Sequence, residues 1–152
     1  MAAAGKAARA RGHYTRPEFL TVCRWKTARS ATKVASNSAA AIRVATRRAF
    51  MTEGLVEQIR HLLALAGVGL PTASVLLHFA FPESIPILDV RALESLGVTG
   101  RSYTPNFWAS YVEACRAIAA RNGVSLRTLD KALWQFSKER DDLASCRGSK
   151  PT

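Results

Sequence analysis

The sequence predicts an all-α, single compact domain of about seven short helices with a helix-hairpin-helix at its centre, and three observations carry that reading. Apolar residues recur at three- and four-residue spacing, while no stretch of any length alternates with the period of a strand. Helix-opening residues and closing glycines or prolines punctuate the chain at short intervals. A chain of 152 residues with 48% hydrophobic content can build one core and hardly two.

Residues 1–14 hold Ala, Gly, Lys and Arg without an acid, and are expected to be a disordered basic tail. They lack the apolar stretch of a secretory signal, an organellar leader being the alternative. The helical domain is then expected over residues 15–140. Thr15-Arg-Pro-Glu18 fits a capping box with proline in the first turn, and Phe19, Val22, Cys23 and Lys26 follow at helical spacing. A polar stretch, Ser30 to Ser38, leads into a second helix near 39–50, with Ile42, Ala45 and Ala49 on one side and Arg43 and Arg47 on another. A third helix, about 53–66, places Leu55, Ile59, Leu62, Leu63 and Ala66 together, and Gly67 suits a left-handed cap. The fourth runs from Leu70 to Phe81 and stops at Pro82.

The segment Phe81-Pro-Glu-Ser-Ile-Pro-Ile-Leu88 contains two prolines and must be extended. Asp89 sits at the N-cap of a short fifth helix, about 90–96, closed by Gly97. Thr104-Pro105 opens a sixth helix that Asn122-Gly123 ends. Ser125 opens the seventh, whose core face is expected to carry Leu126, Leu129, Leu133 and Phe136. Residues from Lys138 onward are expected to fray, with 141–152 a flexible tail.

Charge is unevenly placed. The chain carries 22 Lys and Arg against 11 Asp and Glu, and residues 1–50 hold 11 of the bases with one acid, Glu18. An anionic partner at the N-terminal third is therefore the first hypothesis. No apolar run has the length of a membrane span, so no membrane association is expected. Cys23, Cys115 and Cys146 are odd in number and scattered, and His13, His61 and His78 form no ligand pattern. Neither a metal site nor an iron–sulfur cluster is expected.

The informative stretch is Leu62-Leu-Ala-Leu-Ala-Gly67-Val-Gly69-Leu-Pro-Thr-Ala73. Two glycines around one apolar residue permit a tight turn with outward backbone N–H groups, next to the positive end of the following helix. A phosphate oxygen fits such a turn, with a monovalent cation as a candidate bridge. Taken alone, Gly-x-Gly between helices is better read as a plain helix–helix corner.

Leu-x-Gly-Val-Gly-x-x-Thr-Ala, followed by a proline-containing extended segment and Ile87-Leu-Asp-Val-Arg91, resembles the helix-hairpin-helix DNA glycosylase superfamily, the group of endonuclease III and the alkyladenine glycosylases. The match covers about Leu55 to Val98, and the chain is similar to a short, divergent member. The resemblance implies that Asp89, 18 residues beyond Pro71, is the catalytic carboxylate, and that Gly67, Val68, Gly69 and Thr72 form the DNA-binding hairpin. Pro71 stands where bifunctional members carry lysine, which implies a monofunctional enzyme without lyase activity. Members of the family place more chain ahead of the hairpin, so a reduced substrate lobe is implied.

The chemistry agrees with those residue types. Breaking a nucleoside C1′–N bond leaves a sugar with oxocarbenium character, and a carboxylate about 4 Å away contributes on the order of 4 kcal/mol at an effective dielectric near 20. Asp89 is the only acid that the pattern places for it, although capping alone also accounts for it. Trp25, Tyr103 and Trp108, with Tyr111 and Trp134, are candidates for a base pocket or for the core. Arg24, Lys26, Arg29, Arg43, Arg47 and Arg91 are candidates for phosphate contacts, with Lys33 and Arg48 beside them, or for a solvated basic face. The expected partner is double-stranded DNA, reached in the cytoplasm (at the nucleoid) in a bacterial source. Base excision from DNA is the leading expectation. A non-catalytic helix-hairpin-helix DNA-binding module is the alternative, and an RNA- or ribosome-associated helical protein is a third.

Overall fold

A computed structural model describes residues 1–148, with side chains through Cys146. The described residues form nine helices and no strand: α1 (Ala2–Arg11), α2 (Arg16–Lys26), α3 (Ala31–Ala35), α4 (Ala39–Met51), α5 (Leu55–Leu63), α6 (Leu70–Ala80), α7 (Val90–Ser95), α8 (Pro105–Asn122) and α9 (Leu126–Gly148). The seven expected helices are present, and α1 and α3 are additional.

Helix α6 is the centre of the molecule because its sequence, LPTASVLLHFA, has almost no polar side. Residues from Leu70 to Ala80 are buried nearly all round, and only a helix enclosed by others tolerates that. Helices α1, α2 and α5 pack against it, α4 and α8 cover α5, and α7 lies on α9.

The expectation of a disordered tail over 1–14 is overturned. Residues 2–11 form α1, which packs on α6 with Gly5 and Ala8 buried. Small residues bring the two backbones together: a Cβ on Gly5 would run into the Phe79 carbonyl. Gly12 ends α1 in the left-handed conformation (φ 88°), and Tyr14 then enters the core. The Tyr14 hydroxyl donates to the Leu76 carbonyl at 2.8 Å, and its amide donates to Thr46 Oγ1 at 3.0 Å. Both polar groups are thereby satisfied in a buried setting, where leaving one unmade costs about 1–3 kcal/mol.

Other boundaries behave as local chemistry dictates. Glu18 reaches back to accept from the Thr15 amide at 2.9 Å, and Thr104 Oγ1 accepts from Phe107 N–H at 3.1 Å. Ser125 Oγ accepts from Thr128 N–H at 3.1 Å at the start of α9. Gly67 is left-handed as expected (φ 73°), but α5 already ends at Leu63, so the glycine lies within the turn and Ala66 is exposed.

The C-terminal expectations also change. Helix α9 continues through residues 141–148, so that part of the flexible tail is helical, and residues 149–152 lie outside the described region. Phe136 is exposed, not on the core face. The inward stripe of α9 runs through Leu126, Leu129, Asp130, Leu133 and Ser137, and Ser137 donates to Glu94 Oε2 at 2.8 Å. Phe136 falls beside this stripe because the helix turns about 100° per residue.

Candidate active site

Between α6 and α7 residues 82–84 make a turn, so the expectation of an extended run over Phe81 to Leu88 holds only from Ile85, where the chain enters the interior and its backbone groups need partners from side chains. Arg116 Nε donates to the Ser84 carbonyl at 2.8 Å, and Tyr111 donates its hydroxyl to the Ile87 carbonyl at 2.7 Å. His78 Nδ1 lies 2.6 Å from the Ile85 carbonyl, and Ser74 Oγ accepts from Leu88 N–H at 2.9 Å. Ile87 N–H donates to Asp130 Oδ2 at 3.3 Å. Helices α6, α8 and α9 thus hold the strand-like run rigid, and Asp89 emerges at its end.

Asp89 caps α7: its Oδ1 accepts from Arg91 N–H at 3.0 Å. Its Oδ2 accepts from Lys26 Nζ at 2.8 Å, and the carboxylate remains about one-third exposed (32%). Capping and a free edge toward solvent coexist in one side chain. Asp89 and Lys26 line a cleft of about 570 Å³, together with Trp25 from α2, Ile87, and Asp130 and Trp134 from α9. That volume suits a small planar ligand.

Asp130 is the group in this cleft that the sequence left hidden. Its carboxyl is buried (7% exposed), and Oδ1 has no hydrogen-bond partner among the described residues. Burial pushes its pKa up to about 7, with the Asp89 charge adding to the rise while Ile87 N–H, Arg127 and Lys26 oppose it. The signal was an acid standing in the apolar stripe of α9, next to Leu129. The expectation that Asp89 is the only acid in position is therefore corrected.

The aromatic candidates separate. Trp25 lines the cleft and makes an edge contact with Phe79, ring centroids 5.4 Å apart. Trp108 is fully buried in the core, so it is no pocket residue. Tyr103 stacks on Phe107 and lines a different, smaller cleft with Val90 and Val98. Trp134, a lesser candidate, joins Trp25 instead, with the Arg91 guanidinium 5.7 Å from its ring centroid.

Of the basic candidates, two are already engaged. Lys26 is held by Asp89, and Arg91 Nη1 donates to Asp141 Oδ2 at 2.9 Å across to α9. Arg24, Arg29, Arg43 and Arg47 are exposed and form no ion pair among the described residues. Around α4 the positive field is concentrated. His13 is pushed below the ordinary imidazole value, first by burial and then by the Arg11, Arg43 and Arg47 charges.

The turn between α5 and α6 is stapled from the loop that follows α3. Asn37 Oδ1 accepts from Ala66 N–H at 2.9 Å, and its Nδ2 donates to the Ala66 and Val34 carbonyls, each at 2.9 Å. Gly67 is required twice over, by its positive φ and because a Cβ would lie 2.8 Å from Lys33 Cβ and 2.9 Å from Val34 N. Val68 and Thr72 are buried, so Thr72 offers no hydroxyl at the surface of the turn. Gly69 is exposed, and no acceptor among the described residues takes the Gly69 or Leu70 N–H. Asn37 carried no sequence signal, since a single polar residue ahead of an N-cap serine is commonplace.

Among the described residues no helix is long and apolar enough to cross a membrane. Among the described residues no group of three or more His, Cys, Asp or Glu side chains is placed to hold a metal ion. No protein-family model, curated protein or solved structure matches the chain.

Proposed function

We propose that the chain is a monofunctional DNA glycosylase that hydrolyses the N-glycosidic bond of an altered base, with Asp89 as the catalytic carboxylate. The observation that carries the reading is the position of Asp89, at the mouth of an aromatic-lined cleft and at the end of a rigidly held segment. A base turned out of the duplex would enter beside Trp25 and Trp134, and the sugar would remain at the rim near the carboxylate. The negative charge of Asp89 then stabilises the oxocarbenium-like sugar while water attacks C1′. Lys26 fixes the orientation of that carboxylate through Oδ2.

DNA would be held by two kinds of group. The N–H groups of Gly69 and Leu70, which no acceptor among the described residues takes, suit a phosphate oxygen, directly or through a monovalent cation, and Arg24, Arg29, Arg43 and Arg47 supply side-chain charge. The alternative, a DNA-binding module without catalysis, draws on the cap and the ion pair that occupy both oxygens of Asp89.

Duplexes carrying deaminated, oxidised or alkylated bases separate the two. The native chain is expected to leave abasic sites, and Asp89→Asn to lose roughly 1,000-fold in single-turnover rate, the equivalent of about 4 kcal/mol. Asparagine caps a helix as well as aspartate does, so the variant should stay folded and bind DNA. Borohydride is expected to trap no covalent adduct. Equal rates for the two chains, or no abasic product from any lesion, would leave only the binding module.

A further inference from the structure

We infer that Asp130 is a second acid of the cleft, facing the base where Asp89 faces the sugar, and that the cleft takes a neutral altered base which must be protonated as it leaves. The inference rests on the proposed base excision and names its substrate class. Asp130 lines the same cleft as Asp89, is buried, and keeps Oδ1 without a partner. A buried oxygen left unmatched is costly, and a ligand that supplies the missing partner removes that cost.

The surroundings favour a protonated carboxyl. From α6, His78 Nδ1 lies 4.0 Å from Asp130 Oδ2 but faces the Ile85 carbonyl at 2.6 Å, and burial holds the imidazole below its usual pKa. It therefore supplies no cation to keep Asp130 ionised. From α8, Tyr111 directs its hydroxyl to Ile87, and the Cys115 thiol is pushed up to about 12 by burial. Lys26 on α2 is paired with Asp89, whose charge opposes ionisation of Asp130. On α9 itself Arg127 and Lys131 line the cleft; Arg127, like Lys26, favours ionisation, yet desolvation outweighs both.

Charge also selects the ligand. With Asp130 neutral, Lys26, Arg127 and Lys131 face the single negative charge of Asp89, so a cationic N-alkylated base meets net repulsion. A neutral base meets a hydrogen-bond donor. In the reaction the C1′–N bond breaks with its electron pair going to the base, and the Asp130 proton moves to a base nitrogen or oxygen. Water adds to C1′ and releases one proton to solvent, from which Asp130 is reprotonated. The sum is base–sugar plus water giving free base plus abasic sugar.

Two measurements test this. Quenching of Trp25 and Trp134 fluorescence reports cleft occupancy by inosine, which is neutral, or 7-methylguanosine, which is cationic. Inosine is expected to bind at pH 6 and to weaken by up to about tenfold per pH unit above 7, and the cation to bind more weakly. Asp130→Asn should abolish the pH step. In duplex DNA the same variant should excise hypoxanthine or uracil roughly 100-fold or more slowly than the native chain. Preference for 7-methylguanine, or native rates in Asp130→Asn, would overturn the inference and leave the glycosylase reading intact. Failure to bind either nucleoside overturns it as well. pH-dependent inosine binding without excision of any lesion supports Asp130 as the base-facing donor and overturns the glycosylase.

Discussion

Asp89 gives one oxygen to the first turn of α7 and the other to Lys26, whereas Asp130 keeps one oxygen without a partner. Burial makes the Asp130 carboxyl sensitive to pH. Folding raises the Asp130 pKa to about 7 from an ordinary carboxyl value near 4. Between those values the native state holds a proton that the unfolded chain has lost, so the contribution to stability is full below about pH 4 and gone above about pH 7. Glu18 behaves oppositely: the Arg11 guanidinium lowers it to about 2, and its contribution fades as pH falls from about 4.5 toward 2. Asp130→Asn keeps an acceptor for Ile87 N–H and removes the first effect. Its urea midpoint relative to the native chain should therefore rise between pH 5 and pH 8; parallel midpoints would contradict the burial argument. Asp89 was legible because an N-cap is a local pattern. Asp130 was not: its place in the stripe of Leu126, Leu129 and Leu133 marks an inward-facing acid, but nothing within four residues shows that a cleft lies there.

Helix α1 illustrates what composition conceals. Its Ala-rich, basic sequence reads as a solvated tail, yet Gly5 and Ala8 give it a side small enough to lie against α6. Gly5→Ala separates propensity from packing. Alanine is the better helix former by about 1 kcal/mol, but its methyl group meets the Phe79 carbonyl. The variant should be destabilised by about 1–3 kcal/mol, the usual cost of overpacking, read as a lower Tm. An unchanged or higher Tm would mean that α1 is not packed closely in solution. The extended segment from Ile85 to Leu88 was legible from its prolines, though the turn over residues 82–84 ahead of it was not. Its anchoring was not, since Ser74, Tyr111 and Arg116 come from two other helices.

Across the whole molecule, the excess positive charge lies in residues 1–50, while Asp89 and Asp130 lie in the nearly neutral remainder. Helix α2 joins the two, presenting exposed Arg24 one residue from Trp25 in the cleft wall. In the proposed function, holding and chemistry would thus be adjacent in space though separate in the chain. Affinity for undamaged duplex should fall with salt at a log–log slope near −0.9 per phosphate neutralised, and replacing Arg43 and Arg47 together by alanine should reduce that slope by about 2. A flat salt response, measured by fluorescence anisotropy, would remove DNA as the partner. The all-α class, the caps at Thr15, Asp89, Thr104 and Ser125, and the turn at Gly67 follow from the sequence alone, because each depends on groups within three or four residues. The Lys26–Asp89 pair, the Asn37 staple on Ala66 and the unmatched Asp130 oxygen were decided only by tertiary structure. Those pairs are 29 or more residues apart, and the Asp130 burial depends on which helices close over it; packing of whole helices, not local propensity, determines both.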